Sequence, residues 1–491
     1  MANDTQDNVL FCRFCGHLNR ATEQGEVEAA GGRCARCGAF SGLETMAESE
    51  ARERSRRIRL DFLRSRLVRL AIIVLPVLGL VIWVLWQYTG LPPDPPAPST
   101  RIGDASAPIP PGDWPQAGRN ATNLASAGAL DLPPETAPQA AWKYIAGAPI
   151  VSPPAVSGDS VYLTDEAGNL TALDLRTGIL LWQYDSRLPA GVTPAVADGL
   201  VFVVFRPGLV SALEADTGEV VWSKRLRTAS LPSPTIADGR LYVAESDKNR
   251  VLALDAANGE TLWEYRLGDW TIAPPAVIDG KVIATANDAN VHVIDAETGR
   301  RRMIYDAGRS RWVRGGPIAT EDLLHFSSFN GRIWGIDYQG HRYPLERQIL
   351  YFKTLMWLWG FTTQGPVQQG LVWSSWSVDD QPYQPALSGT TLVVADAVGP
   401  VTALDSGDGT ILWEIDVGAD ITAPATTAGP IALVGDELGR LTALSIADGS
   451  TAWETRLDDP ITASPIAAGG MVLVPTAADG GTLVALAENR Q

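Results

Sequence analysis

Hydrophobic and polar positions follow two regimes along the chain. From residue 113 onward, short runs alternate apolar with polar or small residues, as in Val161-Tyr-Leu-Thr and Leu241-Tyr-Val-Ala. Asp-Gly or Ser-Gly pairs, the residues that supply the positive φ of tight hairpins, punctuate these runs. Upstream, Leu70 to Tyr88 (LAIIVLPVLGLVIWVLWQY) carries no charge. Some twenty helical residues at about 1.5 Å each cross a ~30 Å hydrocarbon core, so residues 70–89 are expected to form one transmembrane helix. Trp83, Trp86 and Tyr88 gather at its C-terminal end, where amphipathic rings favour the interface. A cleaved signal peptide is the alternative, but the run starts about seventy residues in and lacks a clear small-residue cleavage site.

The alternating region repeats itself. Pro-Ala-Val-x-x-Gly, with decay, begins a unit at Pro154, Pro194, Pro234, Pro275, Pro317, Pro385, Pro424 and Pro465, at spacings of 40, 40, 41, 42, 68, 39 and 41. A second element, Ala-x-Asp-x-x-Thr-Gly-x-x-x-Trp, reads ALDLRTGILLW up to Trp182 and returns at Trp222, Trp263, Trp413 and Trp453. VIDAETGRRRM and GIDYQGHRYPL are weaker copies, with Asp295 and Asp337 at the key position. A forty-residue unit of four short strands is one propeller blade. In its second hairpin, Asp caps the turn and Gly takes the left-handed position; Trp then starts the outer strand and packs on a neighbouring blade. The last copy lacks that outer strand. Ala141-Trp142-Lys143-Tyr144 supplies it from the N-terminal side, closing the ring and removing an exposed sheet edge. The expected fold is an all-β, eight-bladed propeller of four-stranded blades over residues 113–491, preceded by a zinc ribbon and a single transmembrane α-helix.

Four cysteines lie in the first forty residues, and the propeller has none. Cys12-x-x-Cys15 and Cys34-x-x-Cys37, each followed by Gly, match a zinc ribbon over residues 8–40, in which two turns each give two thiolates to a tetrahedral ion. A segment this short buries little core, so the metal would supply much of its folding energy. A rubredoxin-like iron site is the minor alternative, and a redox dithiol a lesser one. His17 reads as an exposed polar residue.

Charge orients the chain. In the basic segment 41–69, Arg52, Arg54, Arg56, Arg57, Arg59, Arg64, Arg66 and Arg69 precede the apolar run, and only Arg101 stands in the Pro-rich linker 90–112. Positive residues stay inside. The expectation is a plasma-membrane, single-pass protein with a cytoplasmic N-terminus and an extracytoplasmic propeller. Residues 1–69 hold 12 Lys/Arg against 10 Asp/Glu, leaving 27 against 46 for the rest of a chain of net charge −17. So acidic a domain argues against nucleic-acid binding.

The Ala-x-Asp-x-x-Thr-Gly-x-x-x-Trp element resembles the tryptophan-docking motif of PQQ-like propellers, and Asp113-Trp114-Pro115 resembles a common opening of such domains. The resemblance implies one of two branches: quinoprotein dehydrogenases, which hold PQQ with calcium and often an adjacent-cysteine disulfide, or a BamB-like non-enzymatic branch that binds partner proteins. This chain has no Cys-Cys pair, and His292, His325 and His341 lack metal-ligand spacing. PQQ is therefore not expected. The leading reading is a non-catalytic scaffold gripping an extracytoplasmic protein or other envelope component, with a membrane-bound quinoprotein oxidoreductase as the alternative. A sensor passing outside occupancy inwards is a third reading.

The spacing of 68 between Pro317 and Pro385 exceeds the others by about 28. The extra stretch, residues 350–378, is expected between blades five and six and carries Trp357, Trp359, Trp373 and Trp376. Two other connections expected on that face hold Trp270, and Arg309, Arg311, Trp312 and Arg314. Together they are expected to form an aromatic and basic docking patch, since Trp and Arg anchor protein interfaces. The alternative is an insertion that plugs the channel.

Overall fold

A computed structural model of the chain describes residues 8–13, 17–19, 43–47, 50–57, 74–79, 108–110, 112–127, 137–226, 228, 232–307, 315–339, 346–361, 370–376 and 381–488. Two compact units result. One comprises residues 1–94 with 345–366, the other residues 95–344 with 367–491.

The first unit contains a three-stranded antiparallel sheet, β1 (Asn8–Cys12), β2 (Leu18–Asn19) and β3 (Leu43–Ala47), in the order β2-β1-β3. Two short helices follow, α1 over 50–57 and α2 over 74–79, and later α3 (Glu346–Leu358). Among the described residues no helix is long and apolar enough to cross a membrane. Most of the expected span 70–89 lies outside them.

The second unit is the expected propeller. Blades one to seven span 155–185, 195–225, 235–266, 276–306, 318–376, 386–416 and 426–456. Blade eight combines 466–487 with β5 (Gln139–Ile145), which pairs antiparallel with Thr482–Ala487 and closes the ring. The strands form for the reasons their sequence gives. In blades two to four the first hairpin turns on Asp198-Gly199, Asp238-Gly239 and Asp279-Gly280, both residues at positive φ, the pairing that suits the twist of a two-residue hairpin. In the third hairpin of blade one, Asp174 accepts from the backbone N–H and hydroxyl of Thr177 at 2.8 and 2.6 Å, which holds its carboxyl below the ordinary range. Gly178 follows at φ 70°. In all eight blades a register shift between the third and outer strands falls at one equivalent point, such as Ala172/Leu173.

Six outer-strand tryptophans then fasten their blades to the next. Trp182 donates its indole N–H to Ala215 O at 2.8 Å, and its ring lies on Gly218. The same bond and the same turn glycine recur for Trp142, Trp222, Trp263, Trp373 and Trp413.

The axis is occupied by the chain itself. Residues 112–127, ending in β4 (Ser126–Ala127), run round the inside of the ring and meet every innermost strand. Gly112 O accepts from Gly469 of blade eight, and Trp114 exchanges both backbone bonds with Val156 of blade one. Pro115 O, Ala121 O, Thr122 O, Leu124 O and Ala125 O accept from Val196, Val277, Ala319, Leu387 and Thr427 at 2.6–3.0 Å. For blade three the side chain of Gln116 takes over, accepting from Ile236 N at 3.0 Å. The inner strands are only two or three residues long, and this hub satisfies amides at their inner edge that would otherwise be unpaired.

The docking geometry yields a test. A Cβ on Gly218 would sit 2.6 Å from the Trp182 ring at φ +73°, whereas Gly158, at φ +59°, faces open space. Gly218→Ala is expected to cost more than ~2 kcal/mol, combining strain with a displaced indole, and Gly158→Ala about 1 kcal/mol from strain alone. Denaturant unfolding of the two variants measures the difference.

Candidate binding surfaces

Antiparallel order sorts the connections onto two faces. Blade-to-blade connections and second hairpins open on one, here called upper; first and third hairpins open on the other. The hub fills the channel towards the lower face, since Asp113 Oδ1 accepts from Gly158 N and Gly112 from Gly469, both at first hairpins. Above it remains a cup of about 270 Å³. Trp114, Ala117, Gly118 and Ala125 form its floor; Ser152, Thr193, Ser233, Gln384, Thr422 and Ser464 stand in its wall, just ahead of the inner strands. Among the described residues, none that lines it carries a formal charge. Trp114 Nε1 and Ser152 Oγ, both on buried side chains, have no hydrogen-bond partner. A neighbouring hollow of about 280 Å³ holds an ion pair, Arg206 to Glu166 at 3.7 Å.

The expected aromatic patch is not assembled as the sequence suggested. The insertion does not join blades five and six. It lies inside blade five, between its third strand (Arg332–Ile336) and its outer strand (Leu371–Trp376), and leaves the blade at Asp337, whose N–H donates to Gly370 O at 2.7 Å. Its roots therefore open on the lower face, away from Trp270, which sits half-buried in the upper connection between blades three and four. The channel axis is occupied by the hub. Trp373 is no docking residue: it is buried, with its indole bonded to Ser406 O at 2.8 Å like the other blade tryptophans. Trp376 is 55% exposed beneath the Arg332 guanidinium, 4.5 Å above its ring. Trp357 on α3 and Trp359 just beyond it are exposed, in the other unit. Arg309, Arg311, Trp312 and Arg314 lie outside the described residues.

Of the four cysteines, Cys12 is described. It ends β1, fully buried, and its N–H donates to His17 O at 3.0 Å. Cys15, Cys34 and Cys37 lie outside the described residues, so the ligand set is not on view. His17 is half-buried rather than exposed. His292 and His325 are core residues.

This assembly defines an eight-bladed propeller with tryptophan-docked PQQ-like repeats. The family described as outer membrane protein assembly factor BamB matches residues 138–192, 185–362, 232–398 and 397–490, and the chain belongs to it. A search of curated sequences gives no match. Among solved structures, BamB from Moraxella catarrhalis is 18% identical with a TM-score of 0.58, covering 72% of this chain and 99% of that one. Quinohemoprotein alcohol dehydrogenase from Comamonas testosteroni is 14% identical with a TM-score of 0.60, covering 79% and 82%. A europium-containing methanol dehydrogenase is 16% identical with a TM-score of 0.56, covering 77% and 98%. These likenesses speak to fold alone.

His325 lies in blade five with its ring centroid 5.6 Å from that of Trp373, and burial holds its imidazole down to about 4. Its folded value lies below the ~6.5 of an unfolded chain, so the unfolded state binds the proton first. Stability from this site is complete above about pH 6.5 and lost as pH falls towards 4. His325→Gln is expected to flatten that loss by on the order of 3 kcal/mol, read from denaturant unfolding at pH 7 and pH 4.

Proposed function

We propose that this chain is a membrane-anchored, non-catalytic scaffold whose propeller binds an extracytoplasmic protein or envelope component through its upper face. The neutral cup carries this reading. Its wall of hydroxyls, a glutamine amide and backbone groups, with unpartnered donors at Trp114 and Ser152, suits uncharged hydrogen-bonding groups such as a peptide backbone. Residues 70–89 anchor the chain with its basic flank inside, and the chain enters the propeller at Gly112 on the lower face, opposite the cup. The N-terminal ribbon holds one zinc ion on Cys12, Cys15, Cys34 and Cys37 as a structural site, closed by four thiolates.

The competing reading is a quinoprotein oxidoreductase, which shares the fold. PQQ is a tricarboxylate held with calcium, and such a group needs cationic and carboxylate partners facing it. The described lining of the cup offers neither, which supports the non-catalytic reading.

Carbonate-washed membranes test the anchor, and purified full-length protein tests the rest. The protein is expected to stay in the washed membrane and to hold one zinc per chain, lost in Cys12→Ser. Supplied with PQQ and Ca²⁺, it is expected to reduce no acceptor dye; dye reduction above a heat-denatured control would contradict the non-catalytic reading. A photocrosslinking amino acid at Thr422, in the cup wall, is expected to trap one envelope protein that the same probe at Thr177, on a lower-face hairpin, does not.

A further inference from the structure

The aromatic helix of the insertion is the feature that the scaffold reading leaves unused. In the described part of α3 and the turn after it, Tyr351, Phe352, Trp357, Leu358, Trp359 and Phe361 are 43–66% exposed. Lys353 is the only charged residue between 351 and 361. An exposed apolar cluster of this density marks a surface that water does not cover in the working protein.

We propose that α3 is a membrane-interface helix, lying in the surface of the bilayer that anchors the chain; this rests on the anchored reading above. Three observations point to lipid. First, α3 belongs to the same compact unit as residues 1–94, which include the apolar segment 70–89, and not to the propeller from which it is inserted. Second, the insertion leaves and rejoins blade five at Asp337 and Gly370 on the lower face, the face where the chain arriving from segment 70–89 enters at Gly112. The eight or nine residues on either side of 346–361 reach up to ~30 Å. Third, its size and composition suit the interface. Thirteen residues make a helix of about 20 Å, too short for a ~30 Å core, and Trp and Tyr concentrate at the headgroup level.

A groove in a partner protein is the less suitable cover. Grooves take one stripe of a helix at i, i+3, i+4 and i+7. At 100° per residue, Tyr351, Phe352, Trp357 and Leu358 point around most of the axis. A groove would leave part of that set in water, whereas the headgroup layer also takes amphipathic Trp and Tyr rings that do not face the acyl chains.

The test uses the full chain reconstituted into vesicles of phosphatidylethanolamine and phosphatidylglycerol. A fluorescent amino acid replaces Phe352, Trp359 or, as an upper-face control, the 50% exposed Leu438. Nitroxide-bearing lipid is expected to quench the probes at 352 and 359 at least threefold more than the one at 438, and aqueous iodide the reverse. Iodide quenching of all three alike, in protein that resists carbonate washing, would overturn the helix proposal while leaving the anchor intact. Protection at 352 and 359 from both quenchers would overturn it too, in favour of a protein cover, from a second copy or a partner. Protein that washes off the vesicles would overturn anchor and interface helix together.

Discussion

Everything in the propeller depends on what fills its axis. Eight sheets radiate from inner strands of two or three residues, and each presents an edge amide to a channel too narrow to hydrate it freely. Residues 112–127 answer that demand from within the same chain, giving a carbonyl or a glutamine oxygen to each blade in turn. Beyond β4, after eleven intervening residues, the chain becomes β5, the outer strand of blade eight. One stretch, 112–145, thus holds the ring from its centre and closes it at its rim.

Around that hub the tryptophan docks set the blade spacing, and the departures from them come in complementary pairs. A dock needs a tight third hairpin, with its turn glycine, on the receiving blade. In blade five that hairpin is opened by the insertion, and the blade behind it carries Met303 where tryptophan is expected, packed in a cluster with Tyr338. In blade eight the third hairpin is replaced by two separate chain stretches, and Trp453 packs instead among Val484 and Leu486. The ring therefore tolerates an insertion where the neighbouring side chain is adaptable in shape.

Much of this was legible beforehand. The forty-residue period, the hairpin chemistry and the closing role of Trp142 all rest on local rules that the fold obeys. The insertion was misplaced because the fifth copy, GIDYQGHRYPL, has leucine where the outer-strand tryptophan belongs, so the extra length was counted after that strand. The distance that fixes it was present: Trp373 stands twelve residues before Pro385, as Trp182 stands before Pro194. The hub was not legible. Residues 113–127 (DWPQAGRNATNLASA) show neither period 2 nor period 3.6, because their partners are seven strands scattered over about 270 residues. The uncharged cup, which the hub floors, was hidden with it.

The most direct measurement of this account is amide hydrogen exchange on the intact protein, resolved at the inner strands. If one hub holds all blades, the amides of Val156, Val196, Ile236, Val277, Ala319, Leu387 and Thr427 exchange as a single, slowest class that opens only with global unfolding. Blade-by-blade exchange at unrelated rates, with inner strands opening before outer ones, would contradict it.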